Sequence, residues 1–183
     1  MHIEHAVRGT IHASPARVWA LVGTFADQSW NPGIKDCHLV DDRVAGVGAI
    51  RRMQGTDDSI IFERLDELRP GYALTYSFAG CPPGPVLTSR TTVTVTGSPR
   101  AAGEATEITW SGAFDVVGDD ERRTVEHLNC DIVWPALIGG LAASLGVGHA
   151  LNTPPGERHA PPFMTGTTTT SIDGRFTASL RSR

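Results

Sequence analysis

Hydrophobic and polar residues alternate with a period of two through most of the first 117 positions, then recur at steps of three and four from 119 to 145. Successive side chains leave a strand on opposite faces and advance around a helix in 3.6-residue turns, so this change of period predicts half-buried strands followed by one long helix. Residues 2–12 read as the first strand. Ser14-Pro15 then supplies an N-cap and a proline at the first helical position, where its missing N–H is harmless, and Val18, Leu21 and Val22 follow at helical spacing beside Trp19. A second short helix is expected over 27–30, stopped by Pro32-Gly33. Strands are expected at 34–40 and 46–53, and at 60–68 and 72–78 around Arg69-Pro70-Gly71, whose proline and glycine provide the fixed and positive φ values of a tight turn. From 86 to 96 threonine alternates with valine, and 104–117 supplies a seventh strand.

The long helix opens on Asp119-Asp120-Glu121, negative charge where it complements the helix dipole. His127, Cys130, Asp131, Trp134, Ile138 and Leu141 recur along it, and this stripe is expected to face the sheet. Pro135 removes the bond to the Asp131 carbonyl and is expected to kink the helix there. Seven antiparallel strands, two short helices between the first two of them and a long C-terminal helix define an α+β domain over residues 1–145.

Composition changes the picture after position 145. Residues 146–183 are rich in Gly, Pro and Thr, with Pro154-Pro155, Pro161-Pro162 and a threonine run at 167–170. Such a tail is expected either to be disordered or to dock through Phe163, Ile172 and Phe176. With 183 residues, 40% of them hydrophobic, the chain suits one domain plus this appendage. A net charge of -4 without a Lys/Arg run argues against nucleic acid or an anionic membrane as partner. The first residues carry no basic stretch leading into an apolar run, and no segment is expected to span a bilayer, so a cytoplasmic location is the expectation. Cys37, Cys81 and Cys130 are widely spaced and suit reduced thiols. His2, His5 and His12 lack companion ligands in a metal-binding pattern and are expected at the surface, with no metal. Nucleotide-binding, metalloprotease and serine-hydrolase motifs are missing from the sequence, and no cofactor is called for.

One ordered series remains to be explained. It runs from Ala13-Ser14-Pro15-Ala16-Arg17-Val18-Trp19 through Trp30-Asn31-Pro32-Gly33 and Gly48-Ala49-Ile50-Arg51 to Glu63-Arg64-Leu65 and Trp110. The series resembles the START-like (SRPBCC, helix-grip) superfamily in its polyketide cyclase/dehydrase-like branch. The resemblance implies a curved antiparallel sheet wrapped around the C-terminal helix and enclosing a ligand cavity. Strand parity puts Arg51 and Met53 on one face and Ile50 and Arg52 on the other without saying which points inward. The resemblance implies that Arg51, Glu63, Tyr76 and Trp110 face the cavity.

An inward arginine and carboxylate have to be paired or solvated, and Arg51 with Glu63 is the expected pair, either as a bridge between strands or as a polar centre for a carbonyl or hydroxyl. Tyr76, Trp30 and Trp110 offer flat apolar area with one polar hydrogen each, and Met53, Phe78, Ser89, Asp131 and Trp134 complete the expected ligand-binding set. His127 is the histidine expected to point inward, with Asp131 one turn on to orient it for acid–base work. Relatives often carry an Asn-Tyr pair where Thr88-Ser89 stands here, which removes a large ring from the wall. The implied function is binding of a hydrophobic or aromatic oxygenated molecule by a monomer or homodimer. The use expected for it is cyclisation or dehydration of a polyketide-like intermediate in secondary metabolism, with Arg51, Glu63, Tyr76 and His127 as catalytic residues. The alternative is a non-catalytic lipid or metabolite carrier or sensor of the same fold.

Overall fold

The strand alternation becomes burial alternation. In a computed structural model, which describes residues 1–41, 46–82, 84–98 and 104–152, every second side chain of the strand Thr106–Val116 is buried, from Thr106 and Ile108 through Trp110 to Phe114 and Val116. Eight strands form among the described residues: β1 (His2–Ile11), β2 (Ile34–Leu39), β3 (Ile50–Gly55), β4 (Ile60–Arg69), β5 (Ala73–Phe78), β6 (Val86–Gly97), β7 (Thr106–Val116) and β8 (His149–Leu151). They pair antiparallel in the order β2-β3-β4-β5-β6-β7-β1-β8. Register shifts between Ile34 and Asp36, Leu65 and Glu67, and Val86 and Thr88 add local bends of the kind a sheet needs to curl around a helix. Gly71 takes φ +77 in the β4–β5 turn, as the Pro-Gly pair predicts.

Helix α1 (Pro15–Val22) follows β1 with Ser14 in the N-cap position. The second short helix expected over 27–30 does not form. Asp27 Oδ1 instead accepts the Ser29 N–H at 2.8 Å and Asn31 Oδ1 accepts the Gly33 N–H at 3.0 Å, local turns in which short polar side chains compete with helical bonding.

The C-terminal helical run is not uniform. It comprises α2 (Asp119–His127), a π-helical segment (Leu128–Val133) and α3 (Trp134–Leu145), with Pro135 in the first turn of α3 rather than inside a continuous α-helix. Bonding from i to i+5 widens the turn, so the angular advance per residue falls and the buried face no longer follows the 3.6-residue step. Val125, Cys130, Trp134, Leu137, Ile138, Leu141 and Ala142 form the buried side, whereas His127 and Asp131 are exposed, which corrects the expected stripe. The run from 119 to 145 also contains an apolar stretch long enough by composition to cross a bilayer, against the sequence expectation. Its buried side packs on β1 and belongs to the core of the domain.

Gly146 ends α3 in the left-handed region at φ +66. The chain then adds β8 to β1, pairing Gly9 with Leu151 and Ile11 with His149, so the domain extends past residue 145. The docking expected of Phe163, Ile172 and Phe176 lies outside the described residues.

α3 sits close to the loop that carries Trp30. A Cβ on Gly140 would lie 2.6 Å from the Trp30 carbonyl oxygen and 2.7 Å from Pro32 Cδ. Gly140→Ala gains about 1 kcal/mol of helix propensity, but neither a backbone carbonyl nor a proline ring can rotate away, and overpacking costs about 1–3 kcal/mol. A net loss of stability in chemical denaturation is therefore the expected outcome, accompanied by a changed Trp30 fluorescence.

Candidate functional site

Between the inner face of the sheet and the helical run lies a cavity of about 600 Å³, within the range of small-molecule pockets. Arg51 and Met53 of β3, Glu63 of β4, Tyr76 and Phe78 of β5, Ser89 of β6 and Trp110 of β7 all line it, as do Trp30 from the 24–33 loop and Trp134 from α3. The strand parity left open by the sequence is thus resolved with Arg51 and Met53 inward and buried. Residues 55–57, at the end of β3 and in the loop after it, and 84–86, leading into β6, also contribute to the wall. Leu128, Ile132 and Val133 of the π-helical segment line the cavity yet remain 42%, 49% and 40% exposed, which places them at its opening.

The polar centre is a buried ion pair. Arg51 and Glu63 are direct partners in the β3–β4 register, and Arg51 Nε and Nη2 both donate to Glu63 Oε2, at 2.9 and 2.5 Å. Arg51 Nη1 donates to the Phe25 carbonyl at 2.8 Å. The guanidinium carbon lies 4.3 Å from the Phe25 ring centroid and 5.3 Å from that of Tyr76, so two aromatic faces also contact the cation. Both side chains are more than 90% buried. These contacts satisfy and fix the charge, as a buried ion pair requires.

The Tyr76 hydroxyl accepts the Trp110 Nε1–H at 3.3 Å. Burial, reinforced by the negative charge of Glu63, pushes its phenol pKa well up from the ordinary value, so Tyr76 keeps its proton through the neutral range and acts as donor or acceptor rather than as base. Ser89 Oγ accepts the Phe78 N–H at 3.0 Å, leaving its own hydroxyl hydrogen for another acceptor. Trp30 packs tilted against Trp110 with ring centroids 6.3 Å apart, and no described residue accepts from its buried Nε1.

His127 and Asp131 are not part of this arrangement. Their side chains bond to each other at 3.0 Å, but the His127 side chain is 64% exposed and neither residue lines the cavity. The reason is the π-helical segment, which sets the helix phase differently from the regular repeat. In their place Asn129 lines the wall, and its Nδ2 meets Nε2 of His5 at 3.2 Å. His5, expected at the surface, is fully buried, stacked on Phe114 at 5.0 Å and tilted against Trp134 at 5.0 Å. Phe25, Asn129 and Gln28, a buried residue that also lines the cavity, were not legible as site residues, since each sits in irregular or π-helical backbone where no periodicity reports the side-chain direction. For Phe25 the one available signal was the need of a buried arginine for a further acceptor, which its carbonyl supplies. Among the described residues no group of three or more His, Cys, Asp or Glu is placed to hold a metal ion.

An antiparallel sheet gripping a C-terminal helix over an internal cavity defines the helix-grip class of ligand-binding folds. Residues 2–133 match the polyketide cyclase/dehydrase and lipid transport family, and the chain belongs to that family. It is similar to the solved structure of the protein XoxI from Bacillus cereus, with 23% identity over 78% of this chain and 94% of that one and a TM-score of 0.66. A solution structure of a Thermobifida fusca protein shares 26% identity over 79% of this chain and 93% of that one, with a TM-score of 0.65. A Nitrosospira multiformis protein shares 22% identity over 79% and 95%, with a TM-score of 0.61. No curated protein matches the chain.

Proposed function

We propose that this protein binds a single hydrophobic, oxygenated small molecule in the cavity and serves as its carrier or sensor. The observation that carries the reading is the cavity itself, about 600 Å³ with a mainly apolar wall and a few fixed polar groups. Holding is favoured over turnover by the state of those groups. Arg51 is bonded to Glu63 and Phe25, Tyr76 retains its proton, and His127 points to solvent. A cytoplasmic site of action, as monomer or homodimer, belongs to the same proposal.

The second reading is a cyclase or dehydratase of a polyketide-like intermediate, and the adjacency of Tyr76 to the Arg51–Glu63 pair favours it. A flexible poly-carbonyl chain held in one folded shape would react faster through proximity alone, with the Tyr76 O–H donating to a carbonyl oxygen and Glu63 receiving a proton. His127 has no role in that scheme.

Native mass spectrometry of the freshly purified protein, beside Trp110→Ala, tests the proposal. A co-purifying small molecule that is lost from the variant supports it, and unchanged mass and unchanged chromatographic retention of that molecule after incubation with fresh protein support carrier over enzyme. Conversion that stops in Tyr76→Phe would establish the second reading. An empty protein that also fails to bind any of a panel of aromatic ketones would sink both.

A further inference from the structure

The sheet parts where two of its strands border the cavity. β5 and β6 pair from Ala73 with Thr94 to Tyr76 with Thr91 and no further, whereas β5 keeps its partner β4 as far as Phe78 and β6 keeps β7 as far as Val86. The Phe78 N–H therefore has no ladder carbonyl across from it on β6, and Ser89 Oγ accepts it at 3.0 Å instead. A side chain takes over where the backbone pairing stops.

That bond decides what the Ser89 hydroxyl can do. An oxygen that accepts from a backbone N–H keeps its own hydrogen to donate, and among the described residues no acceptor takes it. Strand parity gives its direction: Thr91, Val93 and Val95 are buried on the inner face of β6, and Ser89 shares that face. Unlike those three, Ser89 is only partly buried, and it lines the cavity, so the space its hydroxyl opens onto is the ligand's.

Tyr76 repeats the arrangement. It stands opposite Thr91 and therefore diagonal to Ser89 on the same face, a spacing of about 7–8 Å between the two positions. Its oxygen is likewise fixed by a protein N–H, that of Trp110, and its hydrogen is left over. Phe78, Val86 and Phe114 supply apolar wall on this side of the cavity. Spare donors set in an apolar wall match a group that accepts hydrogen bonds and has none to give, the oxygen of a ketone, ester or lactone.

We infer that Ser89 is a specificity-determining residue, its hydroxyl donating to a carbonyl oxygen of the ligand, so that the cavity prefers carbonyl compounds to hydrocarbons of the same shape. The inference rests on the ligand-binding reading given above and adds the group that the ligand presents and the residue that reads it.

Fluorene and fluorenone, one flat skeleton without and with a carbonyl, test it when titrated by quenching of tryptophan fluorescence into wild type, Ser89→Ala, Ser89→Thr and Tyr76→Phe, with circular dichroism to verify folding. Wild type is expected to bind fluorenone about three- to tenfold more tightly than fluorene, the size of effect one hydrogen bond gives. In Ser89→Ala that advantage should fall to about twofold or less while fluorene binding stays the same, and Ser89→Thr, which keeps the hydroxyl, should restore it. A hydrogen bond weakens the C=O bond it acts on, so the infrared carbonyl stretch of bound fluorenone should lie below its value in a hydrocarbon solvent in wild type and in Tyr76→Phe alike, and rise in Ser89→Ala. A serine that only caps the Phe78 N–H would not move that stretch, and the Tyr76→Phe comparison does not depend on Ser89→Ala folding. Equal binding of the two probes by wild type, a preference that survives Ser89→Ala, or a stretch that returns to its hydrocarbon value in Tyr76→Phe would overturn the role of Ser89 and leave the cavity reading standing. Failure of both probes to bind would remove both.

Discussion

Glu63→Ala is expected to destabilise the fold by about 3–5 kcal/mol, because removing one partner of a buried ion pair leaves the other charge uncompensated. Arg51 would lose the acceptor of two of its donors and keep only the Phe25 carbonyl and two ring faces. Attraction between guanidinium and aromatic rings supplies about 0.5–2 kcal/mol, too little to hold a desolvated cation by itself. The double variant Arg51→Met/Glu63→Leu removes both charges while keeping apolar volume, and it should recover most of the loss or exceed wild type, as replaced buried pairs often do. Urea unfolding of the three proteins measures the cycle. A loss under about 1 kcal/mol for Glu63→Ala would mean that cavity water solvates Arg51, the range typical of an exposed pair.

The second large effect is expected at Trp134. Its side chain is 3% exposed, lies 5.0 Å from the His5 ring and 6.3 Å from that of Phe114, and fits beside Gly112, where a Cβ would lie 3.2 Å from the indole and 2.5 Å from Phe114. Truncation of a buried tryptophan costs about 3–5 kcal/mol, the lost transfer energy plus the void left behind. Trp134→Ala should lose stability on that scale and enlarge the ligand cavity, so bulkier probes should gain affinity relative to small ones. Trp134→Phe keeps a ring against His5 and should lose less than half as much. If both variants are equally stable, the His5–Phe114–Trp134 cluster is not a unit of the core.

Much of the fold was legible because strand periodicity survives packing. The alternation through 106–116 appears unchanged as burial, and Pro70-Gly71 marks a real hairpin. Parity on β3 could not choose between Arg51 and Arg52, since both readings keep the same alternation; only the resemblance pointed Arg51 inward. The helix was misread for a definite physical reason. A 3.6-residue rule applied across Leu128–Val133 assigns His127 and Asp131 to the sheet side, while i to i+5 bonding turns them outward and brings Asn129 to the wall. Asp27 to Gly33 failed similarly, because Asx turns leave little trace in a hydrophobicity pattern. β8 was missed because three residues are too few to display a period.

That short strand has a consequence for how the molecule meets its neighbours. Among the described residues the sheet runs from β2 to β8 without closing, which leaves two margins, and an open margin invites strand addition by another chain. At one margin β8 offers only three residues as a template. At the other, β2 is interrupted by a bulge and carries Lys35, Asp36 and His38 within six residues. Short length, charge and irregularity are the features that discourage edge-to-edge aggregation. The chain can thus keep a large apolar hollow inside an open sheet without presenting either border as a seed for fibrils.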